Sequence, residues 1–145
     1  MNADEAKLLD AGLTERVIGV FYDVYNELGA GFLESVYESA LAIALEEIGL
    51  SVIQQAPLTV TFRGRPVGEF RVDLLINQRL VVEIKAVSRI VSAHEVQLVN
   101  YLKATGIAVG LVLNFGPRAE FKRRVFESAS KSAPIRVNPR QNNVQ

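Results

Sequence analysis

Apolar positions change their period along this chain, and each period predicts a different element. Val17, Ile18, Phe21, Val24, Tyr25 and Leu28 recur at the three- and four-residue steps of one helix face. Thr14 is placed to cap that helix, and Leu13 to pack onto Ile18 as a hydrophobic staple. Gly29-Ala30-Gly31 ends it, since glycine permits a left-handed exit. Leu33, Val36, Tyr37, Ala40, Leu41, Ala44, Leu45 and Ile48 then define a second helix, stopped by Gly49. The short break between the two makes an antiparallel pair.

Beyond Gly49 the texture turns to β. Ser51 to Phe62 is rich in Val, Ile and Thr, and Arg63-Gly64-Arg65-Pro66 reads as a turn. Val67 to Ile76 alternates, with Phe70, Val72, Leu74 and Ile76 on one face and Glu69, Arg71, Asp73 and Leu75 on the other. Asn77-Gln78 turns the chain into Leu80 to Val87, which completes a three-stranded meander. A third helix follows from about Ala93 to Ala104, with Ser92-Ala-His-Glu95 in the form of a capping box. Ile107 to Phe115 is almost wholly apolar and reads as a strand covered on both faces. Glu120 to Glu127 fits either an edge strand or a short helix. The order α-α-β-β-β-α-β requires a crossover after the meander, so the sheet is expected to be mixed. Residues 1–127 form one domain in this reading. Residues 128–145, rich in Ser, Pro, Asn and Gln, are expected to be a flexible tail.

Composition narrows the chemistry. Apolar residues make up 49% of the 145, enough for a core in a single domain. No apolar run approaches a membrane span, and the acidic start lacks the order of a secretory signal. With no cysteine there is no disulfide or thiolate site, which fits a cytoplasmic location. His94 is the one histidine, so any metal must be held mainly by oxygen. Charge is unevenly spread. Residues 1–60 carry two basic against ten acidic groups, −8, and residues 61–145 fourteen against six, +8. The basic half can meet a phosphate backbone or simply neutralise the acidic half.

The stretch Val81-Val-Glu-Ile-Lys-Ala-Val87 is apolar except for Glu83 and Lys85, which alternation places on one face. A carboxylate inside a core face needs a partner. With the turn at Asn77-Gln78, Asp73 comes into register near residue 82 or 83, within cross-strand reach. Two readings follow. A hard cation, Mg²⁺ or Mn²⁺, explains two converging carboxylates and a lysine. So does a salt-bridge network of Asp73, Glu83 and Lys85 holding the sheet together.

Asp73, nine intervening residues and Glu83-Ile84-Lys85 resemble the D…(D/E)-x-K pattern of the PD-(D/E)XK nuclease superfamily, although Val72 stands where that name has proline. Gly31-Phe-Leu-Glu34-Ser-Val-Tyr37 resembles the motif of the GxxExxY family within it, and Gln97-Leu-Val-Asn-Tyr101 the Q-x-x-x-Y motif of RecB-like nucleases. The resemblance implies a restriction-endonuclease-like α/β fold, an α-β-β-β-α-β core with a mixed central sheet flanked by helices, plus an extra N-terminal helix. It implies metal-dependent hydrolysis of phosphodiester bonds, in DNA before RNA. The alternative is a non-catalytic nucleic-acid-binding or interaction module that retains the fold.

Roles follow from the resemblance residue by residue. Asp73 and Glu83 ligate the metal, with the carbonyl of Ile84 as a further ligand. Lys85 orients or activates the attacking water, and Glu34 is an extra carboxylate from the second helix. Helical phase sets Glu34 inside the apolar arc, where it needs an interior partner, yet Glu47 falls within the same arc and Glu34 can instead favour the helix N-terminus. Tyr37 reads as a core residue with a bonded hydroxyl. His94, Gln97 and Tyr101 share one stripe, with Gln97 supporting the site and Tyr101 reaching a phosphate; an ordinary polar helix edge is the alternative. Lys103 and the run Lys122-Arg123-Arg124, with His94, are candidate nucleic-acid contacts, against a plain solvated face. A domain this small is expected to rely on a homodimer or partner protein to select its substrate, and on no membrane.

Overall fold

The computed structural model describes residues 2–127; the expected tail, 128–145, lies outside the described residues. Its elements are α1 (Ala3–Leu28), α2 (Glu34–Glu47), β1 (Val52–Phe62), β2 (Arg65–Ile76), β3 (Leu80–Lys85), α3 (Ser92–Thr105), β4 (Val109–Phe115) and β5 (Ala119–Val125). One sheet runs in the order β1-β2-β3-β4-β5. Its neighbours are antiparallel except β3 and β4, which are parallel and joined through α3. The sheet is therefore mixed, as expected, and Glu120 to Glu127 resolves into the edge strand β5 rather than a helix.

Two layers of helix cover the sheet. On one face, Leu13, Val17, Phe21 and Val24 of α1 and Tyr37, Leu41 and Leu45 of α2 pack on Leu74, Ile76, Leu80, Val82, Ile84, Leu111, Leu113 and Phe115. On the other, Leu98 and Leu102 of α3 pack on Val81, Val112, Ala56 and Val72. Covered on both sides, β4 is buried at every residue. No helix among the described residues is long and apolar enough to cross a membrane.

Several local expectations are corrected. The first helix starts at Ala3, not Thr14: Asn2 accepts from the N–H of Glu5, and Asp4 and Glu5 occupy the positive end of the helix dipole. Thr14 is buried in mid-helix and donates its hydroxyl to the Asp10 carbonyl at 2.6 Å. The arc of α2 is narrower than its periodicity suggests, since Leu33 is 77% and Val36 39% exposed. Ser92 does not cap α3. Val91 does, its N–H donating to His94 Nδ1 at 3.1 Å while its carbonyl accepts from His94 N at 3.0 Å. Glu95 instead pairs with Arg124 at 3.1 Å. The turn after β1 is just Arg63-Gly64, and β2 already starts at Arg65.

The turn at Asn77-Gln78 forms with left-handed φ of 50° and 54°, and Asn77 Oδ1 accepts from Ser51 N at 2.8 Å. It fixes Ile76 opposite Leu80 and Leu74 opposite Val82, so Asp73 falls one step beyond, next to Glu83.

The alternation of β2 does not survive along its length. Leu74 and Ile76 face α1 and α2, whereas Phe70 and Val72 face α3. Across the ladder β1 does the same: Val52 packs toward α2, Ala56 and Leu58 toward α3. The ladder pairs Gln54 with Leu74 and Ala56 with Val72 but skips Gln55 and Asp73, and Gln55 has a left-handed φ of 52°. One left-handed residue in mid-strand turns the ribbon over, so its outer half lies on α3, where Phe70 stacks on Tyr101 with ring centroids 4.4 Å apart.

Candidate active site

The β2–β3 ladder ends at Leu74–Val82, and beyond it two side chains take over from the backbone. The N–H of Asp73 donates to Glu83 Oε2 at 2.8 Å, and the N–H of Ile84 donates to Asp73 Oδ2 at 2.7 Å. Two residues further along β3, the N–H of Ala86 donates to Glu34 Oε2 at 3.1 Å. Amides two apart leave the same edge of a strand. Asp73 and Glu34 therefore occupy successive positions on the edge of β3 that β2 has vacated, and the carbonyl of Ile84 leaves that edge too.

Of the two readings of Glu34, its place at the helix N-terminus is met and its interior partner is corrected. It is exposed, in the first turn of α2, and its partner is a backbone amide rather than an interior group. The other two positions of its motif build the bend that presents it. Gly31 has φ 111°, which only glycine takes easily. Tyr37 is fully buried, stacks on Phe115 at 4.4 Å, donates its hydroxyl to the Gly29 carbonyl at 2.5 Å and accepts from Phe32 N at 3.2 Å. Glycine and tyrosine thus shape the turn, and the glutamate is left for chemistry.

Glu83 is only 6% exposed. Burial, and then the charge of Asp73, push its carboxyl up from 4.5 to about 8, although the Asp73 amide and Lys85 pull the other way and Glu38 pushes further up. Lys85 is half-buried on the face of Glu83, but among the described residues it pairs with no carboxylate. The salt-bridge network offered by the sequence is therefore not formed. Tyr101 is half-buried, and its hydroxyl is held above the usual phenol range by burial and by the charges of Glu83 and Asp73, which places α3 against the same site. Gln97 lies exposed one turn earlier, and His94 is engaged at the helix start.

The basic candidates do not form one patch. Lys122 lies opposite Val112, on the α3 face, and Arg124 on the same face pairs with Glu95, whereas Arg123 lies opposite Leu111 and points the other way. Lys103 sits 5.9 Å over the ring of Phe126.

Sequence reasoning missed four residues around this site. Glu38, one position after the Gly-Glu-Tyr motif, accepts from Gln55 Nε2 at 2.7 Å and Gln54 Nε2 at 3.0 Å. Gln55 Nε2 also reaches Asp73 Oδ1 at 3.3 Å. Asn114, fully buried opposite Lys85, accepts from Val87 N and donates to Val87 O, both at 2.9 Å, which carries the parallel ladder past the end of β3. Glu120 accepts from Ile90 N at 2.7 Å, a bond that holds its carboxyl below the usual range and ties down the loop after Lys85. Only the interruption of an apolar strand by Asn114 offered a clue in the sequence.

The donor set suits a hard divalent cation. Among the described residues the two carboxylates lie together without an ion-paired base, and burial together with the charge of Asp73 holds Glu83 high. Among the described residues no three acidic or imidazole groups already close around one point. That is compatible with Mg²⁺ or Mn²⁺, which take one or two protein carboxylates and fill the other positions with water and phosphate.

Comparison with known proteins gives the superfamily and the fold. The family model of the PD-(D/E)XK nuclease superfamily matches residues 11–125, most of the chain, and the chain belongs to that superfamily. Nucleases of this superfamily act on nucleic acid and generally use divalent metal ions. The crystal structure of SSO0001 superposes with a TM-score of 0.53 at 17% identity, covering 68% of this chain and 52% of that one. That likeness concerns the fold alone, and the chain spans about half the length of that protein. The five-stranded mixed sheet with its flanking helices and N-terminal helix is a restriction-endonuclease-like fold. None of the curated proteins gives a significant match.

Proposed function

We propose that this protein is a divalent-metal-dependent nuclease of the GxxExxY type that hydrolyses phosphodiester bonds in DNA, with RNA as the alternative substrate. The observation that carries the reading is the exchange between Asp73 and Glu83 on the vacated edge of β3, with Lys85 beside it and unpaired.

Asp73 and Glu83 hold the ion, and the Ile84 carbonyl and Glu34 lie on the edge from which they add to its shell. Bound there, Mg²⁺ or Mn²⁺ supplies positive charge to the scissile phosphate and to the attacking water. Glu83, held at a pKa of about 8 by burial, would have to give up its proton to hold the cation at pH 7. Lys85, in no ion pair among the described residues, donates to the attacking water or a phosphate oxygen and so fixes the line of attack. Tyr101 donates its hydroxyl to a neighbouring phosphate, since its raised pKa keeps it protonated, and Gln97 supports the same face. Lys103, Lys122 and His94 contact the backbone on the α3 side, with Arg124 after release from Glu95; Arg123 meets it only if the substrate wraps the edge at β5. A second copy or a partner protein extends the contact surface.

The test is to incubate circular, linear and single-stranded DNA and RNA with the wild type, in Mg²⁺, in Mn²⁺ and in chelator. Chelator-sensitive cleavage of DNA is expected, and cleavage of RNA alone makes RNA the substrate. Binding of DNA without cleavage in either metal favours the non-catalytic module instead.

A further inference from the structure

The left-handed residue in β1 carries more than a kink. Gln55 is exposed, unpaired in the ladder and held at φ 52°, a conformation uncommon for a residue other than glycine and out of place in mid-strand. Its amide nitrogen is shared between two carboxylates, with Glu38 Oε1 at 2.7 Å and Asp73 Oδ1 at 3.3 Å. Its carbonyl accepts from Arg71 Nη1 at 2.9 Å, so the flipped peptide is pinned from the neighbouring strand. The neighbouring Gln54 also donates to Glu38, at 3.0 Å, but has no bond to Asp73. Two carboxylates from different elements, α2 and β2, are thereby drawn to one neutral donor.

We propose that Gln55 is a positioning residue for the metal site: its amide, carried on the left-handed backbone, bridges Glu38 to Asp73 and sets the rotamer in which Asp73 presents an oxygen to the ion. This rests on the metal-dependent reading above. Asp73 has two oxygens with separate duties. Oδ2 is committed to the Ile84 amide, and Oδ1 is aimed by Gln55. A neutral amide suits the task, because it restrains a carboxylate without competing for it as a cation does. Groups that orient a metal ligand typically change affinity by about 10- to 100-fold when removed.

The measurement is calorimetric titration of Mn²⁺ into the wild type, Gln55→Gly, Gln54→Ala and Asp73→Asn, with a thermal melt of each. Glycine takes φ 52° without strain, so Gln55→Gly is expected to melt no lower than the wild type while binding Mn²⁺ about tenfold more weakly. Gln54→Ala, which touches only Glu38, is expected to stay within about twofold of the wild type in affinity, well short of the loss an orienting group causes. Wild-type affinity in Gln55→Gly overturns this inference alone. An equal loss in Gln54→Ala overturns it too, since it moves the effect from the bridge to Glu38. Absence of Mn²⁺ uptake by the wild type removes the metal reading and this inference together.

Discussion

Asp73 and Glu83 each stabilise the other's strand: the N–H of Asp73 donates to Glu83 Oε2 at 2.8 Å, and the Asp73 carboxylate takes the N–H of Ile84, next to Glu83, at 2.7 Å. Side-chain oxygens replace the carbonyls of a ladder that stops at Leu74–Val82. The same bonds keep two acids adjacent, one of them buried.

Metal-free stability should fall as pH rises. The carboxyl of Glu83 titrates at about 8 in the folded chain against 4.5 for the ordinary group. Between those values the folded state holds a proton that the unfolded chain has released, so this contribution is present in full below 4.5 and lost by about 8. Glu83→Gln keeps an acceptor for the Asp73 amide and removes the slope. In urea denaturation it should be more stable than the wild type by a few kcal/mol at pH 8 and by much less at pH 5. An identical pH dependence for the two proteins would exclude burial strain at Glu83.

Metal and proton should compete for that same group. Mn²⁺ affinity is expected to climb by up to about tenfold per pH unit toward pH 8 and then level off. Asp73→Asn retains an oxygen for the Ile84 amide, so the fold should persist while Mn²⁺ binding weakens by about tenfold or more. A titration unchanged by the substitution would count against Asp73 as a ligand.

Gly116→Ala should be severely destabilising. A Cβ there would lie 1.9 Å from the Val87 carbonyl oxygen, which is backbone and is itself held by Asn114. Overpacking of this kind costs about 1–3 kcal/mol or more, and the strand end carrying Lys85 would have to shift. Equal wild-type and variant midpoints in urea would show that this close approach does not hold in solution.

Tyr37→Phe tests whether the motif tyrosine is architectural. Loss of its bonds to Gly29 and Phe32 leaves two part-buried backbone groups without this partner, at a cost of about 1 kcal/mol. Cleavage per folded molecule should remain close to wild type. Full stability with cleavage abolished would instead make the hydroxyl a participant in the chemistry.

Much of this was legible in the sequence because it depends on local period. The two-residue turn at Asn77-Gln78 sets the β2–β3 register, so the nearness of Asp73 to Glu83 could be counted out. The crossover through α3 and the mixed sheet follow from element order alone. What alternation cannot foresee is a backbone inversion. Gln55 carries no sequence mark of left-handed φ, yet it moves Val72 and Phe70 to the face opposite Leu74. Glu38 went unnoticed for that reason, since its partners, Gln54 and Gln55, lie on a strand whose path is not periodic. Thr14 failed as a cap because its hydroxyl has a closer acceptor within the helix, the Asp10 carbonyl. Strand alternation likewise separates Arg123 from its neighbours, which a linear run of charge conceals.

The central claim is that Lys85, beside the Asp73–Glu83 pair, takes part in metal-dependent hydrolysis rather than in holding the sheet. Cleavage of DNA in Mn²⁺ should be measured for the wild type and Lys85→Ala prepared identically, with circular dichroism and Mn²⁺ titration on both. Because Lys85 pairs with no carboxylate among the described residues, its removal should leave the spectrum nearly unchanged and should alter metal affinity only through the proton on Glu83, whose pKa Lys85 lowers. The account predicts that cleavage then falls by about 100-fold or more. Cleavage by Lys85→Ala at the wild-type rate, or equally weak, chelator-insensitive cleavage by both proteins, would contradict it.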